Sequence, residues 1–205
     1  MASGYKTSSA FDLGGLWGDS DEEEGEGEEF VNAGNDATVT LAGDSVRVWE
    51  TSFHPQNANQ VWPGNHHFSG WLAERWETLP LQSGPVLELG AATGALAAWL
   101  VMRGTEMVTT DVADGGDVAS SISATFALNE LPTTHVHVEH TWGEPVPVAL
   151  LQPAFSLVLA VDILLYVKAY PDLLKTLGGA CFPTRCLCRT SRPVCTARFF
   201  SSFSL

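Results

Sequence analysis

The chain has 205 residues, of which 45% are hydrophobic and 10% aromatic, enough for one packed domain with terminal extensions. Its formal net charge of −14 argues against nucleic-acid binding through a basic surface. No basic-then-apolar leader opens the chain, and its apolar stretches are too short for a bilayer, so we expect neither secretion nor a membrane partner. All four cysteines lie after residue 180, which favours a reducing compartment, the cytoplasm or also the nucleus.

Three segments differ in composition. Residues 1–36 include the acidic run DSDEEEGEGEE, which has no apolar residue to bury, and are predicted to form a disordered tail. Residues 37–177 carry the periodic apolar patterns of a folded domain. Residues 178–205 contain no acid and follow neither helical nor strand periodicity, so we predict a Cys/Arg-rich tail unrelated to the fold.

The domain is predicted to begin with a hairpin and a helix. Residues 38–41 and 45–49 alternate in polarity around a glycine turn, which indicates a hairpin at the domain edge. Apolar residues recur at helical spacing after V-W-P-G at residues 61–64. By composition alone, Trp62 in front of this helix is more typical of a core residue than of a ligand contact.

The domain is organised around VLELGAATG at residues 86–94. An apolar run, a small-residue turn and an alanine-rich helix form the first unit of a doubly wound α/β domain, with Gly90 and Gly94 admitting a ligand close to the backbone. The spacing is not the G-x-G-x-x-G of dinucleotide binders. A carboxylate at Glu88 would repel a pyrophosphate but suits an amino group and a sulfonium, which favours S-adenosylmethionine over NAD.

Two later predicted strands end beside residues suited to an adenosine ligand. Residues 107–111 close with Asp111, whose carboxylate can accept hydrogen bonds from both ribose hydroxyls. A helix to about residue 129 follows. Residues 135–139 alternate as a third strand and lead to Trp142, an indole that can stack on a purine.

The fourth predicted strand carries the candidate catalytic residues. Residues 155–161 form a buried apolar run that ends at Asp162, with Tyr166 four residues later. A carboxylate at this edge of a parallel sheet faces the ligand crevice, and burying it without a function would be costly, so a role in the site is favoured. Residues 170–177 form a short amphipathic helix.

Neither the histidines nor the cysteines predict a metal site. His135 and His137 share a strand face, but no carboxylate–histidine motif or cysteine pair stands near them. The cysteine spacing C-x4-C-x-C-x6-C matches no standard zinc arrangement, and no histidine follows it. We expect no metal.

With these pieces in order, residues 61–177 resemble the seven-strand S-adenosylmethionine-dependent methyltransferases, and more narrowly the lysine methyltransferase family 16 branch, which includes enzymes that methylate chaperones and translation factors. The motifs that carry the resemblance are V-W-P-G, V-L-E-L-G-A-A-T-G, T-D, T-W-G and V-D-I-L-L-Y followed by P-D-L-L-K-T-L. The resemblance implies an α/β, doubly wound, Rossmann-like sheet. Because the tail after residue 177 shows no strand pattern, we expect this sheet to lack its last two strands.

The resemblance also implies a cofactor, S-adenosyl-L-methionine, and a partner, a protein substrate bearing a lysine. The expected cofactor-binding residues are Trp62, Glu88, Leu89, Gly90, Gly94, Asp111, Trp142 and Val161. Asp111 would hold the ribose and Glu88 would lie near the methionine ammonium group. Asp162 and Tyr166 are the expected catalytic residues and would position the amine.

Three functions remain open from the sequence. The first is an active protein-lysine methyltransferase. The second is a truncated or catalytically inactive isoform that binds the cofactor. The third is a small-molecule methyltransferase, which would share the same cofactor motifs. A dinucleotide oxidoreductase is disfavoured by Glu88 and by the glycine spacing.

Overall fold

The computed structural model describes residues 33–132, 135–151, 154–180, 185–189 and 198–199, which all belong to the unit Asn32–Leu205. The strands are β1 (Gly34–Leu41), β2 (Asp44–Thr51), β3 (Val86–Leu89), β4 (Met107–Asp111), β5 (Val136–Glu139), β6 (Leu157–Val161), β7 (Arg185–Arg189) and β8 (Arg198–Phe199). The helices are α1 (Pro63–Glu74), α2 (Ala95–Met102), α3 (Asp117–Leu128), α4 (Val148–Leu151) and α5 (Tyr170–Ala180). Within these ranges no helix combines the length and apolarity needed to span a bilayer.

A six-stranded sheet with the order β5-β4-β3-β6-β7-β8 forms the centre of the fold. Strands β3 to β7 pair in parallel, and β8 pairs antiparallel with β7. Every residue of β3 and β6 is buried, as expected for parallel strands covered on both faces. After β3 the chain adds β4 and β5 on one side of that strand, and then crosses over to add β6 on its other side. The direction in which strands are added therefore reverses between β3 and β6, and parallel sheets of this kind bind ligands at such a point. The predicted α/β class with a parallel Rossmann-like sheet is confirmed.

Two strands come from the C-terminal segment, which corrects the expectation that the sheet lacks its last two strands. β7 lies alongside β6 over five paired residues, from Leu157↔Arg185 to Val161↔Arg189. β8 pairs with β7 at two positions. Parallel pairing uses backbone N–H and C=O groups, so a strand can join a sheet edge without the side-chain alternation that the sequence analysis required.

The core divides between the two faces of the sheet. Val86 on β3 belongs to a cluster with residues of α1, α2, α3 and the hairpin, whereas Leu87 and Leu89 belong to a second cluster with Leu150 of α4 and Leu173 of α5. The split within β3 follows from the alternation of side chains along a strand. Both faces of the sheet are therefore covered, and the carboxyl ends of the strands are left open for a ligand.

The predicted hairpin is confirmed, and it contributes to the core. Its turn contains Ala42 and Gly43, both with positive φ, as two-residue hairpin turns require. Leu41, Val46 and Val48 are fully buried against the helical layer. The hairpin is thus a separate two-stranded sheet that covers α2 and α3, a closer integration than an edge decoration.

Candidate active site

A cavity of about 310 Å³ lies at the carboxyl ends of the parallel strands, within the size range of small-molecule sites. Its walls come from the turn after β3, the loops after β4 and β5, the end of β6 and the segment between β2 and α1. The lining residues are Gln56, Asn57, Ala58, Trp62, Gly90, Ala92, Asp111, Val112, His140, Thr141, Trp142, Val161, Asp162, Ile163, Leu165, Tyr166, Ala169 and Asp172.

The structure brings seven of the ten predicted site residues together around this cavity. They are Trp62, Gly90, Asp111, Trp142, Val161, Asp162 and Tyr166. The other three do not line it. Leu89 is fully buried in the apolar cluster on the α5 face, and Glu88 lies at 2% exposure within β3. Gly94 precedes α2, where an added Cβ would come within 3.1 Å of Ile122. Their contribution to cofactor binding stays a prediction.

The glycine turn after β3 is shaped by packing against a neighbouring side chain. Gly90 has a φ of +69°, and an added Cβ would lie 2.6 Å from Cγ2 of Ile163, the second residue after β6. The N–H groups of Gly90 and Ala91 donate to the carbonyl oxygen of Thr110 at 2.9 and 3.2 Å, which ties the turn to β4. The requirement for glycine at position 90 therefore comes from Ile163 as well as from any ligand.

Asp111 closes the cavity at the end of β4. Its Oδ2 accepts the N–H of Ala92 and its Oδ1 accepts the N–H of Val112, both at 2.8 Å. Burial raises the pKa of the Asp111 carboxyl above its usual value, and these two backbone hydrogen bonds oppose the shift in part. A carboxylate offers about four lone-pair sites, so roughly two remain for hydroxyl donors from a ligand.

Glu88 lies deeper in the same region. Its side chain is 2% exposed, and Oε2 has no hydrogen-bond partner among the described residues. Burial raises the pKa of Glu88 to about 8, with a further contribution from the negative charge of Asp111. At neutral pH the group is therefore mainly a neutral acid. A cation close to it would favour the ionised form that the sequence analysis assumed.

Asp162 connects the end of β6 to the first turn of α1. The side chain is 5% exposed, and Oδ2 accepts the N–H of Gly64 at 2.7 Å. The N–H groups in the first turn of a helix have no partner inside the helix, and a carboxylate there is favourable. A Cβ at Gly64 would lie 2.6 Å from Cγ of Asp162, so the glycine of V-W-P-G is needed for this contact.

Tyr166 stands at the mouth of the cavity, with its side chain 44% exposed. Nδ2 of Asn57 donates a hydrogen bond to its hydroxyl group from the opposite wall. The carbonyl oxygen of Asn57 accepts Nε1–H of Trp62 at 2.8 Å. Trp62, Asn57 and Tyr166 therefore form a connected rim.

The loop after β5 is held by α5. The hydroxyl of Thr176, which is fully buried, accepts the N–H of Gly143 at 3.1 Å and lies 3.1 Å from Nε2 of His140. Gly143 has a φ of +90°, and a Cβ there would come within 2.7 Å of Cγ of Asp172. These contacts fix the backbone on both sides of Trp142 and hold its indole at the cavity.

Sequence reasoning missed the part of the wall that comes from residues 56–58. Asn57 has a φ of +59°, and two other lining residues, Ala92 and Asp162, have φ of +48° and +54°. Non-glycine residues in this region are strained by about 1–3 kcal/mol each and concentrate at functional sites. Asparagine is among the non-glycine residues that tolerate a positive φ best. An asparagine at position 57, in a stretch without helix or strand pattern, was therefore the sequence signal for this part of the wall.

His135, directly before β5, and His137 within it both contact a hydroxyl group. Nε2 of His135 and Nδ1 of His137 lie 2.8 and 3.0 Å from the hydroxyl of Thr109. Burial lowers the pKa of His135 to about 4, with the neighbouring His137 adding to the effect. Over the described ranges, no three His, Cys, Asp or Glu residues are arranged to hold a metal ion.

Known proteins share both the sequence pattern and the fold. A family model described as lysine methyltransferase matches residues 40–204. The 16S rRNA N2 G1207 methyltransferase of T. thermophilus, solved with AdoMet and guanosine, superposes with a TM-score of 0.54 at 20% identity, covering 76% of this chain and 41% of that one. The Pyrococcus abyssi tRNA (uracil-54, C5)-methyltransferase gives a TM-score of 0.49 at 15% identity, over 75% of this chain and 34% of that one. No curated protein matches the chain.

The two kinds of similarity support different statements. The chain spans less than half the length of these two solved structures, and at 20% identity the T. thermophilus enzyme supports the fold alone. The family model covers β2, the central sheet and the cavity together. On that match, the chain belongs to the lysine methyltransferase family.

Proposed function

We propose that this chain is an S-adenosylmethionine-dependent methyltransferase that transfers a methyl group to the side-chain amine of a lysine in a protein. The observation that supports it best is the charge of the cavity. Asp111, Asp162 and Asp172 line it, and none of its lining residues in the described part of the chain is a lysine or an arginine. Such a cavity favours cations, and both the sulfonium of the cofactor and the ammonium of an incoming lysine are cationic.

The residues at the β3–β4 side fit the cofactor. Asp111 has about two free acceptor sites for the ribose hydroxyls, and Trp142 supplies an aromatic face for the adenine. Oε2 of Glu88 has no partner among the described residues, and the cationic methionine end, if bound close to it, would offset the cost of its buried charge. When bound, S-adenosylmethionine supplies an activated methyl group on its sulfonium, so the protein's task is to align the amine and to exclude water.

The residues at the β6 side fit the acceptor. An amine attacks only when it is neutral, so the incoming lysine ammonium must first release a proton to water at the mouth of the cavity. The carboxylate of Asp162 can accept a hydrogen bond from that amine and orient its lone pair, while the largely apolar wall favours the neutral amine. Tyr166 at the mouth can contact the aliphatic part of the side chain and offers a hydroxyl to the amine.

Cofactor binding is tested first, by calorimetry with S-adenosylmethionine and S-adenosylhomocysteine. Asp111→Ala should weaken binding at least roughly tenfold, since two hydrogen bonds to a charged group are lost. The matched control is Glu139→Gln, an exposed acid on β5 that stands opposite Asp111 in the strand register. Binding that is absent in the wild type, or equally weak in both variants, would contradict the proposed function.

The acceptor is tested next, with radiolabelled methyl transfer to three classes of substrate. We expect the label to appear in lysine-containing peptides of proteins from cell lysate. Synthetic versions of the same peptides with Lys→Arg should take up no label. Transfer to small amines alone would indicate a small-molecule enzyme, and transfer to RNA alone would contradict the charge argument. Cofactor binding without any transfer would identify a catalytically inactive binding protein.

A further inference from the structure

The segment between β2 and α1, residues 52–62, crosses one side of the cavity and is called the strap here. It supplies Gln56, Asn57, Ala58 and Trp62 to the lining. The strap has neither helix nor strand, so the ladder of backbone hydrogen bonds that rigidifies those elements is missing along it. Two backbone hydrogen bonds connect it to its surroundings: Ser52 N–H donates to the carbonyl oxygen of Ala33, and the carbonyl oxygen of Asn59 accepts Thr51 N–H. Individual side-chain contacts supply the rest of what holds it in place.

His54 makes a buried polar contact in the strap. Its side chain is 5% exposed, and Nε2 lies 2.9 Å from Oδ2 of Asp114. On the other side of the ring, Nδ1 accepts the N–H groups of Gln56 and Ala58 at 3.2 and 3.4 Å. Because Nδ1 faces two donors it carries no proton, so Nε2–H is the group that donates to Asp114.

Asp114 in turn organises the loop that follows Asp111. Its Oδ1 accepts the N–H groups of Gly116 and Asp117, at 3.0 and 3.1 Å, and its Oδ2 accepts that of Val118 at 3.1 Å, at the start of α3. Burial raises the pKa of Asp114, but the His54 hydrogen bond and these N–H groups outweigh it and hold the pKa below its usual value. The carboxylate is thus a fixed anchor a few residues after Asp111.

We propose that His54 is a positioning residue for the cofactor pocket, which acts through Asp114 to join the strap and the loop after Asp111 into one rigid wall. His54 does not itself line the cavity, so its effect reaches a ligand only through this wall. The inference rests on the proposed function, because it takes S-adenosylhomocysteine as the ligand that the wall receives. No motif of the sequence analysis contained His54.

Two substitutions separate the contact made by Nε2 of His54 from the contacts made by its Nδ1. His54→Gln can keep an N–H donor near the position of Nε2, so it retains the contact with Asp114. His54→Asn keeps an acceptor near the position of Nδ1 for the strap N–H groups but is too short to reach Asp114. His67→Asn, at an exposed histidine on α1, is the matched control.

The measurements are the affinity for S-adenosylhomocysteine, the melting temperature, and deuterium exchange of strap peptides. We expect His54→Asn to weaken binding roughly tenfold and to speed strap exchange, with His54→Gln within about threefold of the wild type. A merely structural role would lower the melting temperature in both variants and leave the affinity unchanged, which would overturn the proposal.

Failure of the proposed function would look different. If the wild type does not bind S-adenosylhomocysteine, the proposed function fails, and strap exchange in the unliganded variants still decides whether His54 holds the strap. Unchanged exchange in His54→Asn overturns the inference. Should His54→Asn not fold, Asp114→Asn, which places an amide opposite Nε2–H, must show the same loss of affinity and faster strap exchange.

Discussion

Three carboxyl groups at or near the cavity differ in what surrounds them. One oxygen of Glu88 has no partner among the residues that the structure describes, Asp111 accepts two backbone N–H groups, and Asp162 accepts an N–H at the start of a helix. In the proposed function these surroundings would suit separate tasks: Glu88 as a neutral acid that a cation can ionise, Asp111 as a fixed acceptor for hydroxyls, and Asp162 as a carboxylate next to the acceptor amine.

Glu88→Gln should change how stability depends on pH. The folded pKa of about 8 lies above the ordinary value of 4.5, so the folded state binds more protons and loses stability as pH rises between these values, by up to about 1.4 kcal/mol per pH unit. Glutamine mimics the neutral acid and removes this loss. Urea unfolding from pH 5 to 8 should therefore show a difference between variant and wild type that grows with pH; parallel curves would contradict it.

Asp162→Asn should reduce turnover while sparing the cofactor. Asparagine tolerates the left-handed backbone, and its oxygen can still accept the N–H of Gly64, so the local structure should be kept. The lost negative charge weakens the hydrogen bond that orients the amine, and we expect kcat to fall roughly 100-fold. Affinity for S-adenosylhomocysteine should stay within about threefold. A loss of affinity with unchanged kcat would assign Asp162 to the cofactor instead.

At the scale of secondary-structure elements, the site forms where the ends of strands and the starts of helices contact one another. The start of α1 contacts the end of β6 through Gly64 and Asp162, and the turn between β3 and α2 contacts both Asp111 and Ile163. Residues far apart in the chain are thereby held within hydrogen-bond distance. Small residues at these junctions are required because backbone and side chain approach closely.

Two glycines of α1 provide a matched test of this arrangement. At Gly64 an added Cβ would lie 2.6 Å from Cγ of Asp162, whereas at Gly70 nothing lies within 4 Å. Gly64→Ala should lower kcat and destabilise the fold by about 1–3 kcal/mol, through overpacking. Gly70→Ala should leave kcat unchanged and stabilise the helix by roughly 0.5–1 kcal/mol. Equal effects from both, measured by unfolding and methyl transfer, would contradict the role of Gly64.

At the scale of the whole molecule, the parallel sheet brings the loops after β3, β4, β5 and β6 to one edge. The two apolar clusters cover its faces, and β7 covers the outer edge of β6. β6 carries Asp162 directly after its last residue. The pairing that holds β6 in the sheet therefore affects the position of Asp162 in the site as well as the stability of the fold.

Removing the residues after position 180 tests the contribution of the C-terminal strands. Without β7, the backbone groups of β6 on that side lose their partners, and an apolar edge strand is prone to associate with other chains. We expect a lower melting temperature and association in light scattering. Deletion of residues 1–31, whose acidic run is predicted to be disordered, should change neither. A monomeric truncated chain with an unchanged melting temperature would contradict this.

The sequence alone determined the parts that depend on local chemistry. The apolar run, glycine turn and helix at residues 86–102 require only neighbouring residues, so the β3–α2 unit and the acid that ends β4 were predictable. The order and identity of the motifs also predicted the family. These features are encoded in short stretches because backbone conformation and strand burial act over a few residues.

Only the tertiary structure decided how distant stretches meet. The contact between Gly64 and Asp162, the strap held by His54 and Asp114, and the pairing of β7 with β6 each join residues with little local pattern. Side-chain contacts across a sheet edge depend on strand order and chain path, and parallel pairing depends on backbone groups that every residue carries. Such contacts leave no periodicity in the sequence, which is why they appear only in the folded chain.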